Sequence, residues 1–395
     1  MPMNSFAIHA GSMFDGFSLS GPATVHVSGD RIVRVDRTGA LPADGRQVVD
    51  LGPSACLLPG LIDTHVHLAF DAGPQPVTSL TSASDSDLLA HMRAAARSAL
   101  MAGITTVRDL GDREYLSLTL VDEFAGNPEL GPEILPAGPP LTTPGGHCHF
   151  LGGEVEGVDA LRAAVRERHA RGCAVIKIMA SGGNMTPGSV PPHMSQYGLD
   201  DLRAVVDEAH RLGLPVAAHA HGTQAIREAV EAGVDSLEHV TFLSADGVAA
   251  DSELIEIIVR KGTFVSLTLG LEPGEAVQPP KALAKHVEAI LDTYGNLHKL
   301  GANVVIGSDA GIGPVKPHNV LPHGVADLAR LGVAPLDALK SMTSLAARLC
   351  RMDGRKGRIA AGADADILVV NGDLEHDPAA VLDVQAVFRA GVRVR

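Results

Sequence analysis

Tryptophan is absent from the 395 residues, and tyrosine occurs three times. So thin an aromatic supply argues against an aromatic cage as the means of ligand recognition. The four cysteines, Cys56, Cys148, Cys173 and Cys350, stand far apart with no Cys-x-x-Cys. That excludes a local dithiol or zinc-ribbon motif and supplies no disulfide framework. Basic residues are in deficit, 32 against 46 acidic ones, for a net charge of −14. A surface of that sign argues against nucleic acid or an anionic membrane as partner. No apolar run nears the roughly 20 residues that cross a bilayer. Residues 1–16 lack the basic start and apolar core of a secretory signal. The expectation is a cytoplasmic protein acting on a small-molecule substrate.

What is present is rhythm. From residue 56 onward, short apolar stretches alternate with amphipathic ones. Strands are expected over 56–64, 104–110, 132–138, 174–180, 215–220, 236–240, 263–269 and 303–308. Helical spacing covers 85–101, 159–171, 199–212, 223–232, 252–261 and 281–300. Such alternation implies parallel pairing, and the strand count favours an α/β (β/α)8 TIM-like barrel over residues 56–352. An open doubly wound sheet is the alternative. At the ends, residues 24–27 and 31–35 alternate about a Ser28-Gly29-Asp30 turn. Stretches 356–359, 365–370 and 381–395 are strand-like again. Neither end is large enough to bury a core alone. Segments 1–55 and 353–395 are therefore expected to form one small, discontinuous β-sandwich domain.

The apolar run 59–67 ends in His65-Val66-His67. Residues two apart in a strand share a face, so both imidazoles can turn to one metal ion. In isolation, a pair of core histidines would look the same. Lys177 stands inside the apolar stretch 174–180, where a lysine is costly unless neutral or paired. Burial would keep its amine neutral and able to take up carbon dioxide as a carbamate. A lysine snorkelling from a barrel rim is the other reading. His219, His239 and Asp309 close the fifth, sixth and eighth strands. Each alone could be a core histidine or, for Asp309, a helix cap. Together they occupy the ends of strands one, four, five, six and eight, which converge on one mouth in a barrel.

Segments 59–68, 175–183, 216–222, 237–239, 306–311 and 356–366 stand in the order seen in the amidohydrolase superfamily. The chain resembles its imidazolonepropionase-like branch, which includes Xaa-Pro and Xaa-Arg dipeptidases, over nearly its whole length. The resemblance implies His65, His67 and Asp309 on one metal, His219 and His239 on a second, and carbamylated Lys177 between them. It implies two Zn2+ per chain, with Mn2+ or Co2+ as substitutes, and a homo-oligomer. It implies attack by a metal-bridging hydroxide, with Asp309 moving the proton. His221 and His147, the latter in a Gly-Gly-His loop, compete as oxyanion donors. One departure is Val240-Thr241-Phe242, where relatives often carry glycine after the strand-six histidine; it is expected to narrow the mouth.

The expected reaction is hydrolysis of a dipeptide or N-acyl amino acid. Opening of a cyclic amide, lactam or lactone, or deamination, is the alternative, and a non-catalytic metal-binding scaffold the remote one. Long loops at 70–84, 141–157, 181–198, 270–280 and 310–323 are expected to shape the pocket. Lys316, His318, His323 and Arg113 are candidate carboxylate partners, none in a pattern that fixes specificity. The amides of residues 181–184 could cradle an anion.

Overall fold

The computed structural model describes residues 5–42, 45–274 and 284–395. The amino-terminal residues form β1 (Ser5–Ala10), β2 (Ser12–Phe14), β3 (Leu19–Ser20), β4 (Ala23–Ser28), β5 (Arg31–Asp36), β6 (Gln47–Asp50) and β7 (Ala55–Pro59). β4 and β5 pair antiparallel about the expected turn. The apolar stretch expected as one strand over 56–64 is two, β7 and β8 (Leu61–Val66). The break falls at Gly60, where an added Cβ would lie 2.2 Å from Thr105 Oγ1. Only glycine lets the chain pass that close and change sheets.

Seven further parallel strands follow. They are β9 (Ile104–Asp109), β10 (Glu133–Pro136), β11 (Ile176–Met179), β12 (Val216–Gly222), β13 (Ser236–Ser244), then, after the short antiparallel β14 (Gly247–Val248), β15 (Phe264–Leu267) and β16 (Asn303–Ile306). Strands β8 to β10 make one sheet, and β11, β12, β13, β15 and β16 a second, each in chain order. Parallel bridges span both gaps, Leu141 to Ile178 and Val66 to Ala310. At the first, the Leu141 amide donates to the Lys177 carbonyl at 2.8 Å. At the second, the Asp309 amide donates to the His65 carbonyl at 2.7 Å. Both joints lie beside residues the sequence singles out. The architecture is α/β, with parallel and mixed sheets.

Helices cover the parallel strands and match the periodic stretches. Asp85–Met101 starts at Ser84, whose hydroxyl accepts from the Asp87 amide. Ser252–Lys261 starts at Asp251, which caps the Leu254 amide. Leu116–Ala125 was not expected from the sequence; it enters through Tyr115 in a left-handed conformation, and the Asp112 carboxylate accepts from its Ser117 amide. The helix expected over 281–300 is seen as Val287–Lys299; residues 281–283 lie outside the described residues.

The carboxyl end adds β17 (Ile367–Asn371), β18 (Val384–Arg389) and β19 (Val392–Arg393). β17 pairs with β7, so both termini share one sheet of order β19-β18-β17-β7-β2-β3. Ile8, Val25, Leu57, Ile367 and Phe388 pack in an apolar cluster of their own. Residues 356–359 are not a strand. Lys356 is buried there among Glu133, Asp364 and Asp366, which bind its ammonium and hold the chain in turns. All four cysteines are free. Among the described residues, no helix is long and apolar enough to cross a membrane.

Candidate metal centre

The strand ends bring two donor groups together. Ligand atoms of His65, His67 and Asp309 lie within 4.8 Å of one another, as do those of His219, His221 and His239. The groups adjoin, with the His65 and His239 ring centroids 5.2 Å apart. His239 and Asp309 both take left-handed backbone angles, φ 73° and φ 56°. Non-glycine residues rarely adopt these, and such strain gathers at functional sites. Val240 and Phe242 are left-handed too, at φ 54° and φ 50°. This turn is what the missing glycine would have eased.

Neighbouring groups settle which imidazole nitrogen carries the proton. His67 Nδ1–H donates to the Gly111 carbonyl at 3.2 Å, leaving a lone pair on Nε2. Glu238 Oε2 lies 3.0 Å from His65 Nδ1, a charge contact whose angle falls short of a hydrogen bond, and it draws the proton to that side. The Nε2 atoms of His65 and His67 then face each other at 3.2 Å, with Asp309 Oδ1 at 3.4 and 3.5 Å. With the ring protons on the Nδ1 atoms, three acceptors converge, an arrangement that suits a cation. His219 Nε2–H donates to the Gly182 carbonyl at 3.0 Å, which frees Nδ1. His239 Nδ1 lies 3.3 Å from Thr268 Oγ1.

Burial keeps these imidazoles neutral and ready to ligate. It pushes His67 down to about 4, and holds His65, His219 and His239 well below the usual histidine range. Lys177 is 1% exposed, and its Nζ has no hydrogen-bond partner among the described residues. Burial brings it down to about 8. Its charge disfavours protonation of His65, His67, His147, His219, His221 and His239 alike. A bare ammonium is therefore poorly served at this place. A carbamate with two acceptor oxygens suits it, so the donor set fits two divalent ions and a modified lysine.

His221 stacks on His239 with ring centroids 4.5 Å apart. The Thr241 hydroxyl lies 2.9 Å from its Nδ1. His147 sits beside His219, centroids 4.7 Å apart. Thr186 accepts from the Cys148 amide and approaches His147 Nδ1 at 3.3 Å. Gln196 accepts from the His147 amide at 2.6 Å. An added Cβ on Gly183 would lie 2.3 Å from His147 Nε2, so this glycine makes room for the ring. Burial takes both His147 and His221 down to about 3, and Asp309 up to about 6.

Several expectations fail here. Arg113 does not reach for a ligand; it binds the Leu80 and Ala83 carbonyls and Asp85. His318 donates to the His67 carbonyl at 3.1 Å, and Lys316 is buried against carbonyls. The Ser181 and Gly182 amides already donate to His219 and Met194 carbonyls, so that half of the supposed anion cradle is closed. Sequence reading also passed over the support beneath the ligands. Arg108 donates to Glu238 at 2.8 Å and to the Thr64 carbonyl at 2.6 Å, and both charged side chains are buried. Asp63 accepts from the amides of His65 and Ser308, tying strands one and eight together. Charged residues inside β8, β9 and β13 were the signal for this network.

The donors, histidines and a carboxylate around a lysine with no hydrogen-bond partner among the described residues, are those of a candidate metal centre of the hydrolytic kind. Comparison with known proteins agrees. Residues 56–394 match the amidohydrolase family, and the chain belongs to it. The protein is accordingly an enzyme, a hydrolase acting on carbon–nitrogen bonds. It is 28% identical over 357 residues to ochratoxinase of Aspergillus niger, covering 82% of this chain and 70% of that one. It is 30% identical over 398 residues to imidazolonepropionase of Anaeromyxobacter dehalogenans, covering 90% and 85%. A solved structure of a Xaa-Pro dipeptidase with bound methionine superposes with a TM-score of 0.87 at 25% identity, covering 98% and 99%.

Proposed function

We propose that the protein is a binuclear metallohydrolase cleaving the amide bond of a dipeptide or N-acyl amino acid. The carrying observation is the 3.2 Å approach of the His65 and His67 Nε2 atoms, with Asp309 beside them. His65, His67 and Asp309 would hold one divalent ion and His219 and His239 a second, and Lys177 as its carbamate would supply further oxygen ligands. Nitrogen-rich ligation suits zinc, with manganese or cobalt as substitutes. When bound, such ions make hydroxide available near neutral pH and polarise the scissile carbonyl.

The chain's own residues do the rest. Asp309 takes up the proton released as water attacks, then returns it to the leaving amine. Thr186 donating to His147 Nδ1 leaves Nε2–H as a donor that can stabilise the oxyanion. Thr241 already donates to the His221 carbonyl, so its oxygen accepts from His221 Nδ1 and leaves Nε2 of that ring a lone pair facing the substrate. The eight parallel strands are read as a closed (β/α)8 barrel over 56–352. Segments 1–55 and 353–395 form the flanking β-sandwich, with β7 lying in its sheet.

The likeness to ochratoxinase and a Xaa-Pro dipeptidase supports an amide substrate. The likeness to imidazolonepropionase supports ring opening as the second reading. Zinc- or manganese-loaded protein is given dipeptides, N-acyl amino acids, lactams and aminated heterocycles, and products are read by mass. New free amino acids bear the proposal out. Water added without a split, or released ammonia, replaces it with ring opening or deamination.

A further inference from the structure

Lys316 lies seven residues beyond Asp309 and is 7% exposed. Its Nζ donates to the Ser308 carbonyl at 2.8 Å and the Thr268 carbonyl at 3.1 Å, with the Leu269 carbonyl at 3.5 Å. Among the described residues no carboxylate forms an ion pair with it. A buried ammonium is costly unless every donor finds an acceptor, and these carbonyls satisfy it. The two strand ends they come from each bear on one donor group.

The Ser308 carbonyl belongs to the peptide leading into Asp309, whose left-handed backbone needs holding. Thr268 carries the hydroxyl that lies 3.3 Å from His239 Nδ1. The loop is folded back to bring the lysine there. The Gly311 amide donates to the Lys316 carbonyl at 2.7 Å, and the Lys316 amide to Gly313 at 2.9 Å. One side chain thus ties the strand end that presents Asp309 to the one that orients His239.

We propose that Lys316 is a positioning residue that joins the two metal-ligand groups, setting Asp309 and His239 in register before any ion binds. This rests on the reading of both as ligands. Without the ammonium, the buried Ser308 and Thr268 carbonyls lose the donor they share, and the strand ends part. Groups that orient ligands matter about 10–100-fold in metal affinity.

Chelator-treated wild type, Lys316→Met and Lys316→Arg are titrated with cobalt(II), read by absorbance and bound-metal content, with thermal unfolding of each metal-free form alongside. Wild type should take up two equivalents. Lys316→Met should bind at least one of them about 10–100-fold more weakly, with Lys316→Arg recovering part of the loss. A Lys316→Met protein that melts lower yet takes up two equivalents with wild-type affinity overturns the inference. Should that variant not fold, Lys316→Gln, which keeps an amide donor without the charge, is read by the same two outcomes. Wild type binding fewer than two equivalents would instead overturn the binuclear reading.

Discussion

Replacing Lys177 by methionine should stabilise the metal-free protein while removing its function. The Lys177 ammonium is buried without a hydrogen-bond partner among the described residues, and burial lowers it from 10.5 to about 8. A lysine depressed below its unfolded value burdens the fold fully at pH below 8, and the burden fades as pH rises toward 10.5. At 1.36 kcal/mol per unit, the penalty near neutrality is about 3 kcal/mol. Methionine has a similar reach and no charge to desolvate. For a chain of this length, that energy is roughly 4 °C in melting temperature. The assay is thermal unfolding of both proteins after chelation, in bicarbonate-free buffer, at pH 7 and pH 10. Lys177→Met should melt higher at pH 7, with the gap closing at pH 10. It should bind less metal and show no turnover. A variant that melts lower than wild type at pH 7 would refute the reasoning, since the amine would then have a stabilising partner.

Asp309→Asn should abolish turnover, by about a hundredfold or more, while bound metal measured by mass spectrometry stays near two equivalents; near-normal rates would remove it as proton carrier. His221→Ala should lower kcat about a hundredfold with metal retained; loss of one equivalent would make it a ligand instead. Gly183→Ala should displace the His147 ring and cut kcat about a hundredfold in a protein that folds normally; an unchanged kcat would mean that His147 is idle. Asp112 is buried beside Asp109, and burial raises it to about 6. A carboxyl raised above its unfolded value of 3.8 is tolerated when protonated, and its cost accrues as pH climbs from 3.8 to about 6 and stays level above. Asp112→Asn should therefore gain on wild type between pH 3 and pH 7, by up to roughly 3 kcal/mol in urea unfolding; parallel pH profiles would show that the pair already shares its burden elsewhere.

Much of the centre was legible because its residues violate local expectation. A His-x-His inside an apolar run, and a lysine inside another, cannot be explained by packing alone, and both prove buried at strand ends. The expected helices were legible from their apolar spacing, whether a side chain caps them, as at Ser84 and Asp251, or not, as at Gly198 and Gly222. Leu116–Ala125 opens on the strand-like alternation Leu116-Ser117-Leu118-Thr119-Leu120 and went unseen. Lys316 and Arg113 looked like surface cations awaiting a ligand. Their partners are mostly backbone carbonyls from distant turns, and no residue pattern announces a carbonyl.

The sequence alone determined the strand and helix alternation and the order of the candidate ligand residues, because period and residue chemistry are local properties. Only the tertiary structure decided how those residues come together. It set two Nε2 atoms face to face, left the Lys177 amine without a hydrogen-bond partner among the described residues and buried Arg108 against Glu238. It also gave β7 to the terminal sheet through the narrow passage at Gly60. These outcomes depend on which strand ends meet, and on the burial that follows. Burial changes the charge each group prefers, and it arises from contacts between residues as far apart in the chain as Asp63 and Ser308.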